Sequence, residues 1–219
     1  MRSAIEDYIK YIYTLQSSRV KIGTRNLAEL MYISMPSVSE MIKKLTTAGY
    51  ITSRPYHGFK LTAKGEKIAL TQIRKHRLLE HFMINTLDYE WEEVHQEADT
   101  LEHSVTEKFI NRLEYFLGFP KFDPHGHPIP DINGKIRNLN SFPLSEAGTG
   151  KFYIVSAVND RSKEILKYLK EIGIKINSKI KITGVLSYDG SVIIQIKGKK
   201  YLLSRKIADS IFITENNTN

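Results

Sequence analysis

The order of structural patterns in the first 61 residues most constrains what this chain can fold into. Ser3 and Glu6 have the spacing of a capping box and predict the start of a first helix. Thr24 is positioned to cap a second, short helix over 25–31. The second of these helices would be the first helix of a helix-turn-helix.

The patterns that follow complete this fold. Ser34 can cap a third helix, and Pro36 falls in its first turn, where the missing N–H costs nothing. Two short apolar strands, 50–53 and 59–61, are separated by turn residues and predict a β-hairpin wing. The sequence therefore predicts a winged helix-turn-helix over 1–73.

Charge in this region is consistent with DNA binding. Residues 1–73 contain eleven Lys and Arg against five Asp and Glu. A solvated basic surface is the alternative interpretation of charge alone, but the polar face of the third helix and the wing carry groups that suit phosphates and base edges. The candidate DNA-contacting residues are Thr24, Arg25, Asn26, Pro36, Ser37, Ser39, Glu40, Lys43, Lys44, Arg54, Tyr56 and His57.

Residues 88–107 hold eight acidic side chains and no Lys or Arg, although the whole chain has a net charge of +8. Within this segment four potential metal ligands fall at spacings i, i+4, i+7 and i+8, which place them on an arc of about 100° of a helix. Upstream, an imidazole and a carboxylate repeat the pairing at i, i+4. A solvated acidic face is the alternative interpretation. The six residues are His76, Glu80, His95, Asp99, Glu102 and His103.

Beyond the wing, three helices are predicted: one from a Thr62 cap to about 85, one over 91–103, and one from a Ser104 capping box to 118. Their apolar surface predicts a homodimer. A Pro- and Gly-rich arm follows over 119–150. Predicted strands over 152–158, 179–186, 191–196 and 201–203, with a helix over 162–172, then form a small β-barrel that ends near 214.

Composition restricts the chemistry available to the chain. It has no cysteine, so a metal would be bound by oxygen and nitrogen atoms. It also lacks an apolar run of the roughly 18 residues that span a membrane, and its N-terminus has no signal-peptide pattern. We expect a cytoplasmic protein without a membrane partner.

These pieces together resemble the diphtheria toxin repressor family of metal-dependent transcriptional regulators, in particular its manganese-responsive, three-domain branch. The similarity extends over almost the whole chain. The segments that carry it are EDYIKYIY, SMPSVSEMIKKL, RKHRLLEHF, EEVHQEADTLEH, FPKFDPHGHPIP and VNDRSKEILKYL.

The resemblance implies a mainly α fold with a small β part: a winged-helix domain (1–73), a helical dimerisation and metal-binding domain with its arm (74–140), and an SH3-like, FeoA-like domain (148–214). It also implies two metal sites. The primary site would use Asp7, Asp99, Glu102 and His103, with Asp123 completing the shell. The ancillary site would use His76, Glu80, His95 and Asp160.

The resemblance also bears on the metal. Iron-responsive relatives carry Met and Cys where this chain has Asp7 and Asp99, and carboxylates suit Mn²⁺. Mn²⁺ is therefore expected, with Fe²⁺ as the alternative, and Zn²⁺ or Co²⁺ as substitutes in vitro. Lys10 occupies a position where some manganese sensors carry a ligand Glu. His125 and His127 are interpreted as parts of a structural turn.

The implied function is a metal-activated dimeric repressor of metal-uptake genes that binds a palindromic operator of double-stranded DNA. Two other classes are open at this point. One is a winged-helix regulator controlled by a non-metal ligand or a partner, with structural metals. The other is a metalloenzyme, although no nucleophile or general base is evident in the pattern.

Overall fold

A computed structural model describes residues 2–17, 22–54 and 58–215 of the chain. The chain divides into two compact units. The N-terminal unit comprises Met1–Lys75 with Pro130–Lys135, and the C-terminal unit comprises His76–Ile129 with Ile136–Asn219. None of the described helices combines the length and apolarity needed to cross a lipid bilayer.

The N-terminal unit is a winged helix-turn-helix, as predicted. Its elements are α1 (Arg2–Ser17), α2 (Thr24–Met31), α3 (Met35–Thr47), β1 (Ile51–Arg54) and β2 (Gly58–Leu61). The strands pair antiparallel, with Ile51 opposite Leu61. One apolar stripe from each helix and one residue from each strand form the core, in which Ile9, Ile12, Leu27, Val38, Leu45, Ile51 and Phe59 are buried.

The helix starts differ in part from the sequence prediction. The Ser34 Oγ accepts from the Ser37 N–H at the start of α3, as expected of a cap. By contrast, Thr24 is the first residue of α2, and Gly23 is the N-cap in extended conformation. Ser3 lies inside α1, since that helix begins at Arg2. The residues predicted at the wing tip, Tyr56 and His57, lie outside the described ranges.

Three helices follow: α4 (Ala63–Leu87), α5 (Val94–Leu101) and α6 (Glu107–Phe116). Thr62 caps α4, since its Oγ1 accepts from the Gly65 N–H at 3.2 Å. The predicted helix over 91–103 is shorter in the structure, but Glu102 keeps a right-handed helical backbone, so the predicted spacing persists beyond the end of α5. Buried residues from these helices and the arm form a second core: Leu78, Leu79, Met83, Val94, Ala98, Ile110, Leu113 and Ile129.

The remainder of the C-terminal unit is an antiparallel sheet with strand order β3-β8-β4-β5-β6-β7. Four of its strands and one helix correspond to predicted elements. β3, β8 and the short α8 were not predicted. β3 has only two residues, and α8 and β8 follow the last predicted strand. The elements are β3 (Phe142–Pro143), β4 (Phe152–Val158), α7 (Lys163–Glu171), β5 (Lys179–Val185), β6 (Val192–Ile196), β7 (Lys199–Leu203), α8 (Arg205–Asp209) and β8 (Ile211–Glu215).

The start of α6 offers a direct test of helix capping. The sequence predicts a capping box from Ser104, but the Thr106 Oγ1 accepts from the Phe109 N–H at 3.2 Å, whereas Ser104 is exposed and precedes the helix. We expect Thr106→Ala to lower the free energy of unfolding by about 1 kcal/mol. Ser104→Ala should change it by less than about 0.5 kcal/mol in the same urea titration. Equal losses in the two variants would contradict this assignment.

Candidate metal centre

A buried cluster of imidazoles and carboxylates connects α4 with α5. His76 and Glu80 lie one turn apart on α4, and the Nε2 of His76 is 3.0 Å from Glu80 Oε1 and 3.0 Å from His95 Nδ1. His95 Nδ1 is also 3.3 Å from Glu80 Oε1. Glu80 is fully buried and His76 is nearly so, which means that water cannot replace these contacts.

The other ring nitrogen of His76 faces a second pair of carboxylates. Its Nδ1 is 2.7 Å from Glu102 Oε2 and 3.3 Å from Asp99 Oδ1. His103 Nε2 lies 3.7 Å from the other oxygen of Glu102. The His76 imidazole therefore contacts Glu80 through Nε2, and Asp99 and Glu102 through Nδ1.

The Pro-rich arm contributes His125, which is fully buried. Its Nε2 donates to the Trp91 carbonyl at 3.0 Å, and its ring stacks on the Trp91 indole with centroids 5.5 Å apart. This contact fixes the ring and leaves Nδ1 directed at Glu80 Oε2, 3.8 Å away. A carbonyl that holds one nitrogen of a histidine while the other faces a cluster of potential ligands is a common arrangement around metal ions.

Asp123 determines the shape of the arm at this point. Its Oδ1 accepts from the backbone N–H groups of His125 at 2.8 Å and His127 at 2.9 Å, and its Oδ2 lies 3.4 Å from Arg77 Nε. Gly126 follows with φ +87°, and a Cβ there would lie 2.1 Å from the Ser156 carbonyl oxygen. Glycine is therefore required where the arm passes over β4.

Asp160, in the segment between β4 and α7, completes the cluster. Its Oδ2 is 3.7 Å from His95 Nδ1 and 3.7 Å from His127 Nδ1. In one group, ligand atoms of Glu80, Asp123, His125 and Asp160 all lie within 4.8 Å of one another. Helix α4, the arm and the domain that contains the six-stranded sheet (residues 142–215, the β domain) thus each supply side chains to one small volume.

The buried imidazole and carboxylate groups of α4 have strongly shifted pKa values because they neutralise each other. Burial would lower the pKa of His76, but Glu80, Asp99 and Glu102 outweigh it and raise that pKa well above the ordinary value. Burial would raise the pKa of the Glu80 carboxyl, but His76 and two further histidines hold it well below its usual range. The charged forms of both groups are therefore favoured when no cation is bound.

The groups from the arm and the β domain behave in the same way. Burial opposes protonation of His125, but its carboxylate neighbours, Glu80 foremost, raise its pKa to about 9. Burial also opposes ionisation of Asp160, but His95 and His127 lower its pKa to about 2. A cation that bound here would have to displace protons from the imidazoles.

Several polar atoms in this cluster are buried without a hydrogen-bond partner. They are Glu80 Oε2, His125 Nδ1, His127 Nδ1 and Asp123 Oδ2, and the last of these has only ion-pair contacts, with Arg77 Nε at 3.4 Å and His127 Nδ1 at 3.3 Å. Buried polar atoms are rarely left unsatisfied, and several that converge on one volume indicate a missing partner. Carboxylate oxygens and imidazole nitrogens without sulfur fit a divalent cation such as Mn²⁺, Fe²⁺ or Zn²⁺.

The structure brings most of the predicted ligands together. His76, Glu80 and His95 form one group, with Asp160 close to His95, and Asp99 and Glu102 form another with His76. Asp123, which the sequence interpretation assigned to the primary set, is grouped instead with Glu80, His125 and Asp160. Asp7 lies half-buried on α1 in the N-terminal unit. His125 was interpreted from the sequence as a turn residue. Its position two residues after Asp123 was the one local feature that could have marked it as a candidate ligand.

The polar surface of α3, which contains several of the candidate DNA-contacting residues, is exposed. Pro36, Ser37 and Ser39 are exposed, and so are Glu40 and Lys44, which form an ion pair at 2.7 Å. The helix-turn-helix corner also exposes the large apolar side chains of Tyr32 and Met35. Among the remaining candidates, Arg25 and Lys43 are exposed, whereas Thr24 and Asn26 are partly buried.

Comparison with known proteins agrees with this arrangement along the chain. Residues 1–59 match the family model "Iron dependent repressor, N-terminal DNA binding domain". Residues 62–131 match "Iron dependent repressor, metal binding and dimerisation domain". Residues 142–215 match the FeoA domain.

Individual relatives extend over almost the full length. The iron-dependent repressor IdeR of Mycobacterium leprae is 29% identical over 208 residues, which cover 88% of each chain. A manganese-dependent transcriptional repressor in complex with manganese is 34% identical, with a TM-score of 0.91, covering 96% of this chain and 99% of that one. ScaR with bound Cd²⁺ is also 34% identical, with a TM-score of 0.86, covering 96% and 99%.

Fold, cluster and relatives define a metal-dependent, DNA-binding transcriptional repressor that acts as a homodimer on double-stranded DNA. The chain belongs to the diphtheria toxin repressor family, which includes the IdeR and MntR proteins. These are regulators of transcription and not enzymes, and the metalloenzyme interpretation is set aside for that reason.

The raised pKa of His125 predicts how the metal-free protein responds to pH. Its stabilising charge is fully present below the unfolded-state value of 6.5 and is lost as pH rises through about 9. Between these values we expect the free energy of unfolding to fall by up to about 3 kcal/mol. Urea unfolding followed by Trp91 fluorescence measures this, since Trp91 is the single tryptophan and stacks on His125.

The matched variants for this experiment are His125→Gln and His81→Gln. His81 lies on α4, and burial lowers its pKa, so its removal should leave the fall in place. His125→Gln should reduce the fall. A fall of unchanged size in His125→Gln would show that this imidazole does not carry the effect.

Proposed function

We propose that this chain is a Mn²⁺-activated repressor of metal-uptake genes, which binds a palindromic operator as a dimer. The observation that carries the proposal is the buried set of oxygen and nitrogen donors around Glu80, several of whose atoms have no hydrogen-bond partner. Metal-dependent relatives of known structure support the class of ligand, and the chemistry of the donors supports the choice of metal.

The donor chemistry favours manganese over iron. The described groups contain histidine, aspartate and glutamate, and the chain has no cysteine that could supply a thiolate. Carboxylate-rich sites suit Mn²⁺, whereas sulfur donors favour softer ions. By the Irving–Williams order Zn²⁺ or Co²⁺ would bind at least as tightly in vitro, and selectivity in the cell would then depend on metal availability.

We assign two sites. His76, Glu80, His95 and Asp160 would hold one cation, and the position of His125 and Asp123 beside Glu80 supports their inclusion in this set. The second site keeps Asp99, Glu102 and His103, with Asp7 as the ligand assigned to it by family resemblance. When bound, the metal supplies positive charge that neutralises buried carboxylates.

The partner surface for the dimer is also evident. α6 and the turn that follows it expose several aromatic side chains: Phe109 (47%), Tyr115 (71%) and Phe116 (66%) on the helix, and Phe119 (49%) in the turn. A cluster of exposed aromatic residues of this kind marks an interaction site on a soluble protein. We propose that α6 provides the homodimer interface within the segment that matches the dimerisation model.

Metal-dependent operator binding tests the function. Saturating Mn²⁺ should raise the affinity of the wild type for its operator about 100-fold, within the usual range of allosteric coupling. Glu102→Gln keeps the shape of the buried side chain but removes a ligand charge, and should lose most of this gain. Glu97→Gln, which changes an exposed residue of the same helix, is the matched control and should retain it.

Fluorescence anisotropy with labelled operator measures both affinities. Equal binding with and without metal by the wild type would contradict metal activation. It would favour instead a regulator that responds to another ligand and uses its metals structurally. Full activation of Glu102→Gln by Mn²⁺ would show that Glu102 is not a ligand of the proposed site, although metal activation of the protein would still hold.

Ligand hardness can be tested by the introduction of a thiolate. Asp99→Cys should raise the affinity for Co²⁺ relative to Mn²⁺ by at least about tenfold, because a soft donor replaces a hard one. Glu97→Cys controls for the presence of an exposed thiol. Competition titrations, together with the thiolate-to-cobalt absorption band, measure the change. A preference that does not move would place Asp99 outside the coordination shell.

A further inference from the structure

The β domain carries as much excess positive charge as the winged helix. Residues 142–215 contain thirteen Lys and Arg against seven Asp and Glu, a difference of six, which equals that of residues 1–73. Clustered positive charge is the electrostatic signature of a surface that binds nucleic acid. The position of these lysines on the sheet is therefore informative.

Three of these cations, Lys179, Lys181 and Lys200, lie on one side of four neighbouring strands. Residues on the inner side of β4, β5 and β6, such as Tyr153, Ile180 and Ile194, are buried in the core. On the outer side, the strand register places four residues in one row across β4, β5, β6 and β7: Phe152, Lys181, Gln195 and Lys200. The four strands contain four lysines and no acidic residue.

An exposed aromatic ring holds two of these lysines at the surface. Phe152 is 48% exposed, and the Nζ atoms of Lys179 and Lys181 lie 4.8 Å and 5.4 Å from its ring centroid. A cation–π contact positions an ammonium group but leaves its net charge in place. Among the residues that the structure describes, no carboxylate forms an ion pair with Lys179, Lys181 or Lys200.

Two other lysines of this domain do form ion pairs with carboxylates. Lys170 on α7 pairs with Glu90 and Glu92, and Lys151 pairs with Glu215. The outer side of the sheet thus combines unpaired cations, a neutral polar residue and an aromatic ring. We refer to Phe152, Lys179, Lys181, Gln195 and Lys200 as the lysine face.

We propose that the lysine face binds the phosphate backbone of double-stranded DNA, as a sequence-independent contact in addition to that of the winged helix. This inference rests on the chain being a DNA-binding repressor. Lys181 and Lys200 lie two strands apart, about 10 Å at the usual strand spacing, and flexible lysine side chains act as point charges that suit phosphates. DNA is favoured over an acidic protein because the winged helix of the same chain already binds DNA, which is a dense polyanion.

The salt dependence of DNA binding by the full chain tests the proposal. With Mn²⁺ at saturation, we compare the slope of log K for DNA binding plotted against log [KCl]. This slope should be shallower by about 1.8 in Lys181→Gln/Lys200→Gln than in the wild type, since each lost phosphate contact removes about 0.9 from the slope. Between 50 and 200 mM KCl, this amounts to about a 12-fold smaller loss of affinity in the variant. The same change is expected with the operator and with a duplex of unrelated sequence.

Lys163→Gln/Lys167→Gln is the matched control, because it removes the same charge from exposed positions of α7. It should leave the slope within about 0.3 of the wild type. Equal slope changes in the two double variants would reflect net charge alone and would overturn the proposal, as would no change in either. A wild type that binds operator and unrelated DNA equally would contradict the repressor function, whereas the lysine face is judged by the slope difference between the variants.

Discussion

Helices α4 and α5 pack together with carboxylates at their contact, and the imidazole of His76 makes that packing feasible. It contacts Glu80 through one nitrogen and Glu102 through the other, and both carboxylates are fully buried. A buried carboxylate without a partner costs several kcal/mol. The apolar residues of this core contribute the burial energy, but they can do so only if the acidic groups among them are neutralised.

The neutralisation determines the arrangement of the surrounding chain. The arm turns at Asp123 and Gly126 so that His125 faces Glu80, and Trp91 holds that ring from the other side. The β domain contributes Asp160 to the same volume. The raised pKa values of His76 and His125 favour protonated imidazoles beside the carboxylates when no metal is bound, so metal binding becomes an exchange of protons for a cation.

Periodicity and capping patterns predicted much of this from sequence. The helix-turn-helix, Ser34 as a cap and the i, i+4 pair of His76 and Glu80 depend on local spacing, and each is present in the structure. Family resemblance added Asp160, which lies 65 residues from His95 and which no local pattern could connect to it. The grouping of Asp123 with His125 depends on how the arm folds over β4, which neither spacing nor resemblance revealed. Similarly, α6 begins at Glu107 with Thr106 as its N-cap, two residues later than the capping-box spacing from Ser104 indicated.

The absence of sulfur from the ligand cluster has a chemical consequence beyond metal preference. Thiolate ligands are oxidised by peroxide, through sulfenic acid to irreversible products, and a sensor that depends on them loses its metal under such conditions. This chain has no cysteine, and its described ligand groups contain only carboxylates and imidazoles. Peroxide therefore has no thiolate to oxidise in any metal site that this chain forms. The protein could then continue to report metal levels during oxidative stress, when a thiolate-based sensor would become unresponsive.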